Sequence, residues 1–428
     1  MTSTAPSAKG LLAIDGASPT VREPVPVMAP GGMRMGEEEE AALISCIRGR
    51  RLFRYYGGKP GPSLVAAFET EWAARTRVAH CLGLSSGTAA LMSAMAALDI
   101  GEGDEVIVPG FAWVSNITAI VGVGAVPVIA EIDESLGLDI RDVEAKITPY
   151  TRALCAVHMN GAPAQMREIM ACAQRHGLKV IEDVSQAAGG TFDGQPLGSI
   201  GHLGAFSFQW NKPITSGEGG ALTTNDYALF ERACMYHDVL GGIRTNTPLE
   251  RILPGFNLRM GELQGALLQV QNGRLDQIIL DCRTNRAIIA AATSAVFARK
   301  GVTTRRENDP HGDIGVAWIF LLPSAERLAI VAAALRMEGV PVRAFLTPGN
   351  PDAHVYAAWL PLFHKNTWSK SGRPWTGHPR AIEYDAGMCP QTLGVLGRAL
   401  CVDISPDLTD DHLEQIADAV NKVLEVAL

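Results

Sequence analysis

From residue 78 onward, short apolar runs alternate with stretches of helical periodicity. VAHCLGL, EVIVP, AVPVIAEI, ALCAVHM and LKVIED read as strands, while TAALMSAMAALD and AQMREIMACAQRHG between them read as helices. That alternation predicts an α/β fold: a mostly parallel sheet with helices on both faces. Upstream, EEEEAALISCIRGRR and SLVAAFETEWAART read as amphipathic helices, and residues 1–25 as a poorly anchored tail. From about residue 203, LGAFSFQW and GGALTTN add two strands close in sequence. MGELQGALLQVQNGRLDQIILDCRTNRAIIAAATSAVFARK then gives a helical pattern long enough to bridge two domains. Strand and helix resume at GVAWIFLLP and AERLAIVAAALRMEG, and TDDHLEQIADAVNKVLEVAL closes the chain as a helix with an acidic start. Residues 366–387 are rich in Gly, Pro and polar side chains. They read as a long loop, and long loops in compact enzymes often line sites.

One segment invites a different reading. Val106 to Ala130 carries no formal charge over 25 residues, enough to span a bilayer. Yet it contains Pro109, Gly110, Asn116, Gly122, Gly124 and Pro127, and its ends are short and β-branched. Strand, loop, helix and strand inside an α/β protein is the better reading.

Composition narrows the function classes. The 428 residues carry 37 Lys and Arg against 45 Asp and Glu, a net charge of −8, with 47% hydrophobic and 19% charged residues. A mildly acidic globular chain of this kind argues against nucleic acid or an anionic membrane as partner. None of the eight cysteines forms a C-x-x-C pair, and the chain is far too long for a disulfide scaffold. They read as buried small apolar residues in a reducing compartment, and the N-terminus lacks a secretory pattern, so a cytoplasmic protein is expected. Zinc-ligand spacing, H-E-x-x-H, G-x-x-x-x-G-K-[ST] and G-x-S-x-G are all missing, and no metal is expected.

Four stretches carry candidate chemistry. In GLSSGTAAL (83–91), Gly87 lets backbone N–H groups approach an anion at a helix start, and Ser86 and Thr88 add hydroxyls. The plainer alternative is a Ser N-cap after a tight turn. In VIEDVSQAAG (180–189), Glu182 and Asp183 end an apolar strand, where α/β sheets place ligand groups. A carboxylate there could hold a protonated heterocyclic nitrogen or simply cap a helix. In AFSFQWNKPITSGEGGAL (205–222), Lys212 follows Phe206, Phe208 and Trp210 and precedes Gly217, Gly219 and Gly220. A lone lysine is usually solvated, but one in a partly apolar setting loses its charge more easily, as carbonyl chemistry requires. In GFNLRMGELQGALLQVQ (255–271), Asn257 and Arg259 are exposed candidates for anion contacts, or ordinary polar residues at a loop-to-helix junction.

Taken in order, SSGTAAL, VPGFAWVSN, GAVPVIAEID, VHMNG, EDVSQAAGG, SFQWNKPITSGEGGAL and GFNLRMGELQGALLQVQ resemble the DegT/DnrJ/StrS family of pyridoxal-phosphate aminotransferases. That family has the fold of aspartate aminotransferase and acts on keto-sugars and cyclitols. The resemblance covers roughly residues 35–290. It implies a large cofactor-binding domain over 26–275 and a smaller C-terminal α/β domain over 276–428. It implies that Lys212 bonds pyridoxal 5′-phosphate and moves the substrate proton, and that Asp183 pairs with the ring nitrogen. Gln186 would meet the phenolic oxygen, and Gly87, Thr88 and Ser207 the phosphate. Trp113 would stack on the ring. Asn257 would reach the phosphate of a neighbouring subunit, which makes the expected assembly a homodimer with shared sites. His158 falls near the cofactor by the same resemblance. The implied reaction passes an amino group from L-glutamine or L-glutamate to a ketone on a sugar or cyclitol, in secondary metabolism.

Departures from the pattern mark where specificity would lie. RLFRYYGG (51–58) is unusual, placing Arg54, Tyr55 and Tyr56 as candidates for the acceptor pocket, and Arg244 in YHDVLGGIRTNTPLERIL (236–253) as a candidate anion contact. A lyase, dehydratase or aromatising synthase of the 3-amino-5-hydroxybenzoate type keeps the cofactor and remains the alternative. A non-enzymatic member would usually lack one of Asp183, Gln186, Ser207 and Lys212, all present here.

Overall fold

The computed structural model describes residues 11–26, 34–55, 63–347 and 352–428. Tyr56 lies outside these residues. In chain order the strands are β1 (His80–Leu84), β2 (Glu105–Pro109), β3 (Val126–Ala130), β4 (Thr151–Val157), β5 (Lys179–Asp183), β6 (Thr191–Phe192), β7 (Gln195–Pro196), β8 (Leu203–Ser207), β9 (Gly220–Thr224), β10 (Thr303–Thr304), β11 (Ala317–Leu321), β12 (Val342–Ala344) and β13 (Ala399–Asp403). Seven of them form one sheet in the order β1-β9-β8-β5-β4-β2-β3, in which only β9 runs against its neighbours. The α/β class and the mostly parallel sheet agree with the hydrophobic alternation.

All five residues of β2 are buried, as a strand covered by helices on both faces requires. The uncharged stretch 106–130 is strand, helix Ser115–Gly122 and strand. Among the described residues no helix is long and apolar enough to cross a membrane. All eight cysteines are buried and unpaired.

A second, four-stranded antiparallel sheet, β10-β11-β13-β12, carries the smaller C-terminal layer. Helix Glu262–Lys300, which touches β11 of this second sheet, joins the two layers, its 39 residues extending about 58 Å at 1.5 Å per residue. One end packs on helices Glu37–Arg48 and Leu64–Thr76, the other on helix Asp410–Ala427. A boundary at 275/276 therefore falls inside one continuous helix. The apolar core is likewise continuous from Trp72 and Phe206 through Leu275 and Ile289 to Trp318 and Val420.

Two expectations about the periphery are corrected. The described part of the 1–25 segment is anchored: Leu12, Ala13 and Val21 are buried. The N–H groups of Ala13 and Thr20 donate to the buried Glu338 carboxylate at 2.8 and 2.9 Å, which also pairs with Lys422 at 2.8 Å. A few apolar residues around a satisfied carboxylate suffice to dock a segment too short to show periodicity. Residues 366–387 do not line the cavity around Lys212. They run along β3, an edge strand paired only with β2. Tyr384 donates to the Pro127 carbonyl at 2.7 Å, and Arg380 pairs with the buried Glu105 at 2.5 Å. The segment covers a sheet edge whose free backbone groups would otherwise template pairing.

Candidate active site

The carboxyl ends of β1, β4, β5 and β8 converge on a cavity of about 390 Å³. This is where open parallel sheets present ligand-binding loops. Ser86 caps helix Gly87–Ala97 by accepting the Ala89 N–H at 3.1 Å, so the GLSSGTAAL stretch is both a capped helix and a cavity wall. The first-turn N–H groups of Gly87 and Thr88 have no acceptor within the helix. Ser207, at the end of β8, stands against Gly87 so closely that a Cβ on Gly87 would lie 2.7 Å from the Ser207 Cβ and 3.4 Å from the Ser185 Oγ. The result is a cradle of hydroxyls and N–H groups at a helix N-terminus, suited to an anion.

Asp183 ends β5 at 3% exposure. One carboxylate oxygen accepts from Asn116 Nδ2 at 2.8 Å and the other from the Ser185 N–H at 3.0 Å. Asn116, wholly buried, in turn accepts from the Cys155 thiol at 3.0 Å. Sequence reasoning passed over Asn116: it lies in the VPGFAWVSN motif, but nothing local ties it to a carboxylate 67 residues away.

Lys212 follows β8 in a loop closed on itself. Phe208 N–H donates to the Gly219 carbonyl at 2.9 Å, and Ser216 N–H and Thr215 Oγ1 both donate to the Phe208 carbonyl, at 3.1 and 2.9 Å. The Phe208 ring is clamped edge-on against Phe68 and Trp72. Phe206 and Phe208 are thus core anchors, while Trp210, 44% exposed, faces the cavity. Desolvation lowers the Lys212 pKa from that of a free lysine, with Asp183 opposing. The direction favours a neutral, nucleophilic amine.

The smaller domain closes the far side. His354 lies 4.8 Å from Trp113 between ring centroids and 3.0 Å from Gln186 Nε2 through its own Nε2. An amide nitrogen only donates, so this imidazole nitrogen accepts, and His354 Nδ1 donates to Asp352 at 2.6 Å. Burial pushes the Asp352 carboxyl up, but His354 and Arg343 outweigh it and bring it to about 2. Gln186 Oε1 accepts the Asn160 N–H at 2.9 Å. Neither His354 nor Asp352 was singled out from sequence. They follow β12, on the far side of the long helix.

Gly87, Thr88, Trp113, Asp183, Gln186, Ser207 and Lys212 are therefore brought to one cavity. His158 is not, and the expectation that it falls near the cofactor, as a candidate substrate contact, is corrected. Val157 and Met159 on either side line the cavity, whereas His158 is wholly buried. Its Nδ1 accepts the Ala164 N–H at 3.0 Å, so Nε2 carries the proton and faces Glu182 at 3.2 Å. Side chains alternate sides along an extended chain, and His158 falls on the inner one. Glu182 also accepts N–H groups of Gly198, Ile200 and Gly201, so this pair is a structural post under the β5 end.

Tyr55, Arg244 and Asn257 do not line the cavity, but they share another surface. The Arg244 guanidinium lies 3.8 Å from the Tyr55 ring centroid, and Tyr55 meets His237 at 3.3 Å. Arg244 and Arg259 pair with Asp238, which bridges to the exposed Asn257.

An anion cradle, a buried carboxylate and a desolvated lysine around one cavity define an α/β enzyme that holds a phosphorylated heteroaromatic carbonyl compound. The residues fit pyridoxal phosphate: Gly87, where a Cβ would collide with Ser207, lets the helix start and the Ser207 hydroxyl meet at one anion site, with Asp183 and Lys212 in the same cavity. The chain belongs to the DegT/DnrJ/EryC1/StrS aminotransferase family, whose model matches residues 35–362. It is an aminotransferase and its cofactor is pyridoxal phosphate. It is 35% identical to an L-glutamine:2-deoxy-scyllo-inosose aminotransferase of Streptomyces kanamyceticus over 435 aligned positions, covering 97% of each chain. A UDP-N-acetyl-3-dehydro-alpha-D-glucosamine 3-aminotransferase of Acidithiobacillus ferrooxidans is 42% identical over 48% of this chain and 55% of its own length. In fold, the chain matches the crystal structure of a 3-amino-5-hydroxybenzoic acid synthase with a TM-score of 0.78, covering 94% of this chain and 100% of that one at 24% identity.

Proposed function

We propose that the enzyme moves the α-amino group of L-glutamine onto the ring ketone of a cyclitol of the 2-deoxy-scyllo-inosose type, in secondary metabolism. Sugar or cyclitol transamination is common to its relatives. The choice of cyclitol and of glutamine rests on the relative that matches 97% of the chain at 35% identity.

Pyridoxal phosphate, when bound, would supply an electron sink for the reaction at the amino carbon. The protein's own residues do the rest. Gly87, Thr88 and Ser207 hold the phosphate. Asp183, itself held by Asn116, keeps a proton on the ring nitrogen. Gln186 spends one amide hydrogen on His354 and keeps a second for the phenolic oxygen. Trp113 covers the ring face. Together these residues would hold the cofactor in one orientation relative to Lys212. The Lys212 amine, whose burial lowers its pKa, takes the proton from the amino carbon and returns it.

The assembly we infer is a homodimer with shared sites. Val239, Leu240, Ile243, Leu249, Leu253 and Phe256 are 40–82% exposed along one segment ending beside Asn257. Such a run on a surface favours an interface. Asn257, and with it Tyr55 and Arg244, would then serve the neighbour's site.

Incubating the enzyme with 2-deoxy-scyllo-inosose and L-glutamine labelled with ¹⁵N at the α position tests the reaction. Mass spectrometry should find labelled aminocyclitol and an equivalent of 2-oxo acid. Label transferred only from glutamate moves the donor assignment, and no labelled amine from either donor sinks the cyclitol reading.

A further inference from the structure

Among the described residues, one group outside the catalytic cavity brings three different metal-ligating side chains together. Helix Met166–His176 carries Cys172 and His176 four residues apart, hence one turn apart on the same face. Helix Ile140–Lys146 packs against it and supplies Glu144. The Cys172 Sγ, a His176 ring nitrogen and a Glu144 carboxylate oxygen all lie within 4.8 Å of one another. A tetrahedral zinc ion with bonds of about 2.0–2.3 Å sets such ligands roughly 3.3–3.7 Å apart. The difference is within reach of rotations of the exposed Glu144 and His176 side chains, with the buried Cys172 as the fixed point.

The three groups are open to an ion. The Cys172 thiol is free, and neither it nor the His176 ring has a hydrogen-bond or ion-pair partner among the described residues. Glu144 accepts from Arg175 through Oε1, which leaves its other oxygen uncommitted. A second group that holds a ligating carboxylate in place is a regular part of metal sites. Thiolate, imidazole and carboxylate together suit zinc, whereas magnesium and calcium are held by oxygen. With three protein ligands, two of them at the surface, the fourth position falls to water. The linear zinc patterns missing from the sequence do not cover this set, because Glu144 stands 28 residues before Cys172. None of the three residues lines the cavity around Lys212.

We propose that Glu144, Cys172 and His176, with one water, form a zinc site at the surface of the large domain, away from the catalytic cavity. Binding releases the thiol proton to solvent and leaves the cysteine as thiolate. The ion ties the helix that leads into β4 to the helix that leads into β5, the strand ending in Asp183. The inference does not depend on which donor or acceptor the enzyme uses.

The test uses tag-free holoenzyme stripped with a chelator and titrated with zinc in a calorimeter, and with cobalt(II) as a spectroscopic stand-in. One zinc should bind per chain with a Kd in about the micromolar range, weaker than a four-ligand structural site. Cobalt should give the visible bands of a tetrahedral ion, at longer wavelengths than the cofactor absorbs. Cys172→Ser should weaken zinc binding about 100-fold and His176→Gln about tenfold, both with loss of the cobalt bands. Release of 2-oxo acid from L-glutamine should stay within about twofold of wild type in both variants, which also reports that they fold. Should the buried Cys172→Ser protein prove unstable, His176→Gln at its exposed position carries the test alone. Wild-type protein that binds no zinc, cobalt bound without tetrahedral bands, or a folded variant that binds zinc as tightly as wild type each overturns the inference.

Discussion

Gly87→Ala is the sharpest probe of the phosphate cradle. The added Cβ would lie 2.7 Å from the Ser207 Cβ, 3.2 Å from its Oγ and 3.4 Å from the Ser185 Oγ. Carbon atoms rest about 3.5–4.0 Å apart, so Ser207 or the helix start must move by roughly 1 Å. Overpacking of this kind costs about 1–3 kcal/mol, offset by up to about 1 kcal/mol because alanine suits a helix better than glycine. A displacement of that size removes about one charge-assisted hydrogen bond to the phosphate, worth about 2 kcal/mol. Cofactor affinity should therefore fall about 30-fold. The assay is titration of cofactor-free protein with pyridoxal phosphate, followed by the fluorescence of Trp113 and Trp210, both of which line the cavity, with a thermal melt of the cofactor-free form alongside. Adding Ser207→Gly should restore the melt by making room, but not the affinity, because the hydroxyl is gone. A Gly87→Ala protein that binds within about threefold of wild type would refute the cradle.

Lys212→Ala should abolish 2-oxo acid release from L-glutamine without lowering the melting temperature, since it removes a desolvated amine; retained turnover would disprove the assignment. Asn116→Ala leaves a buried oxygen of Asp183 without its donor and should cost about 2–3 kcal/mol in urea unfolding; a loss under about 0.5 kcal/mol would show that Asp183 does not depend on it. Burial, with Arg54 and Arg259 nearby, depresses the His237 pKa to about 4 against the bond its ring makes to the Cys234 carbonyl. A depressed pKa means the unfolded chain binds the proton first, so stability present above about pH 6.5 is lost as pH falls towards about 4. The loss is about 3 kcal/mol, and it should shrink in His237→Gln. Sedimentation should find a dimer; a monomer with full specific activity would remove Asn257 from the shared site.

The strands, the helices between them and the parallel sheet were legible because burial on both faces of a strand leaves a short unbroken apolar run, and burial on one face of a helix leaves a period, within a few residues. The glycine at the start of helix Gly87–Ala97 and the carboxylate ending β5 were legible for the same reason, since each lies where an element stops. Tertiary structure alone decided the rest. Asn116 reaches Asp183 only because β4 sets β2 and β5 one strand apart on either side of it. His354 meets Gln186 across 168 residues because the long helix folds the smaller domain back over the cavity. His158 sits in a motif beside the site, yet the alternation of an extended chain turns it onto Glu182. Segment 366–387 has a loop's composition, but what makes it a cover is the unpaired edge of β3, which lies about 250 residues earlier in the chain. Sequence records which local conformations are affordable; which distant groups then satisfy one another's charges and hydrogen bonds is settled when the chain closes.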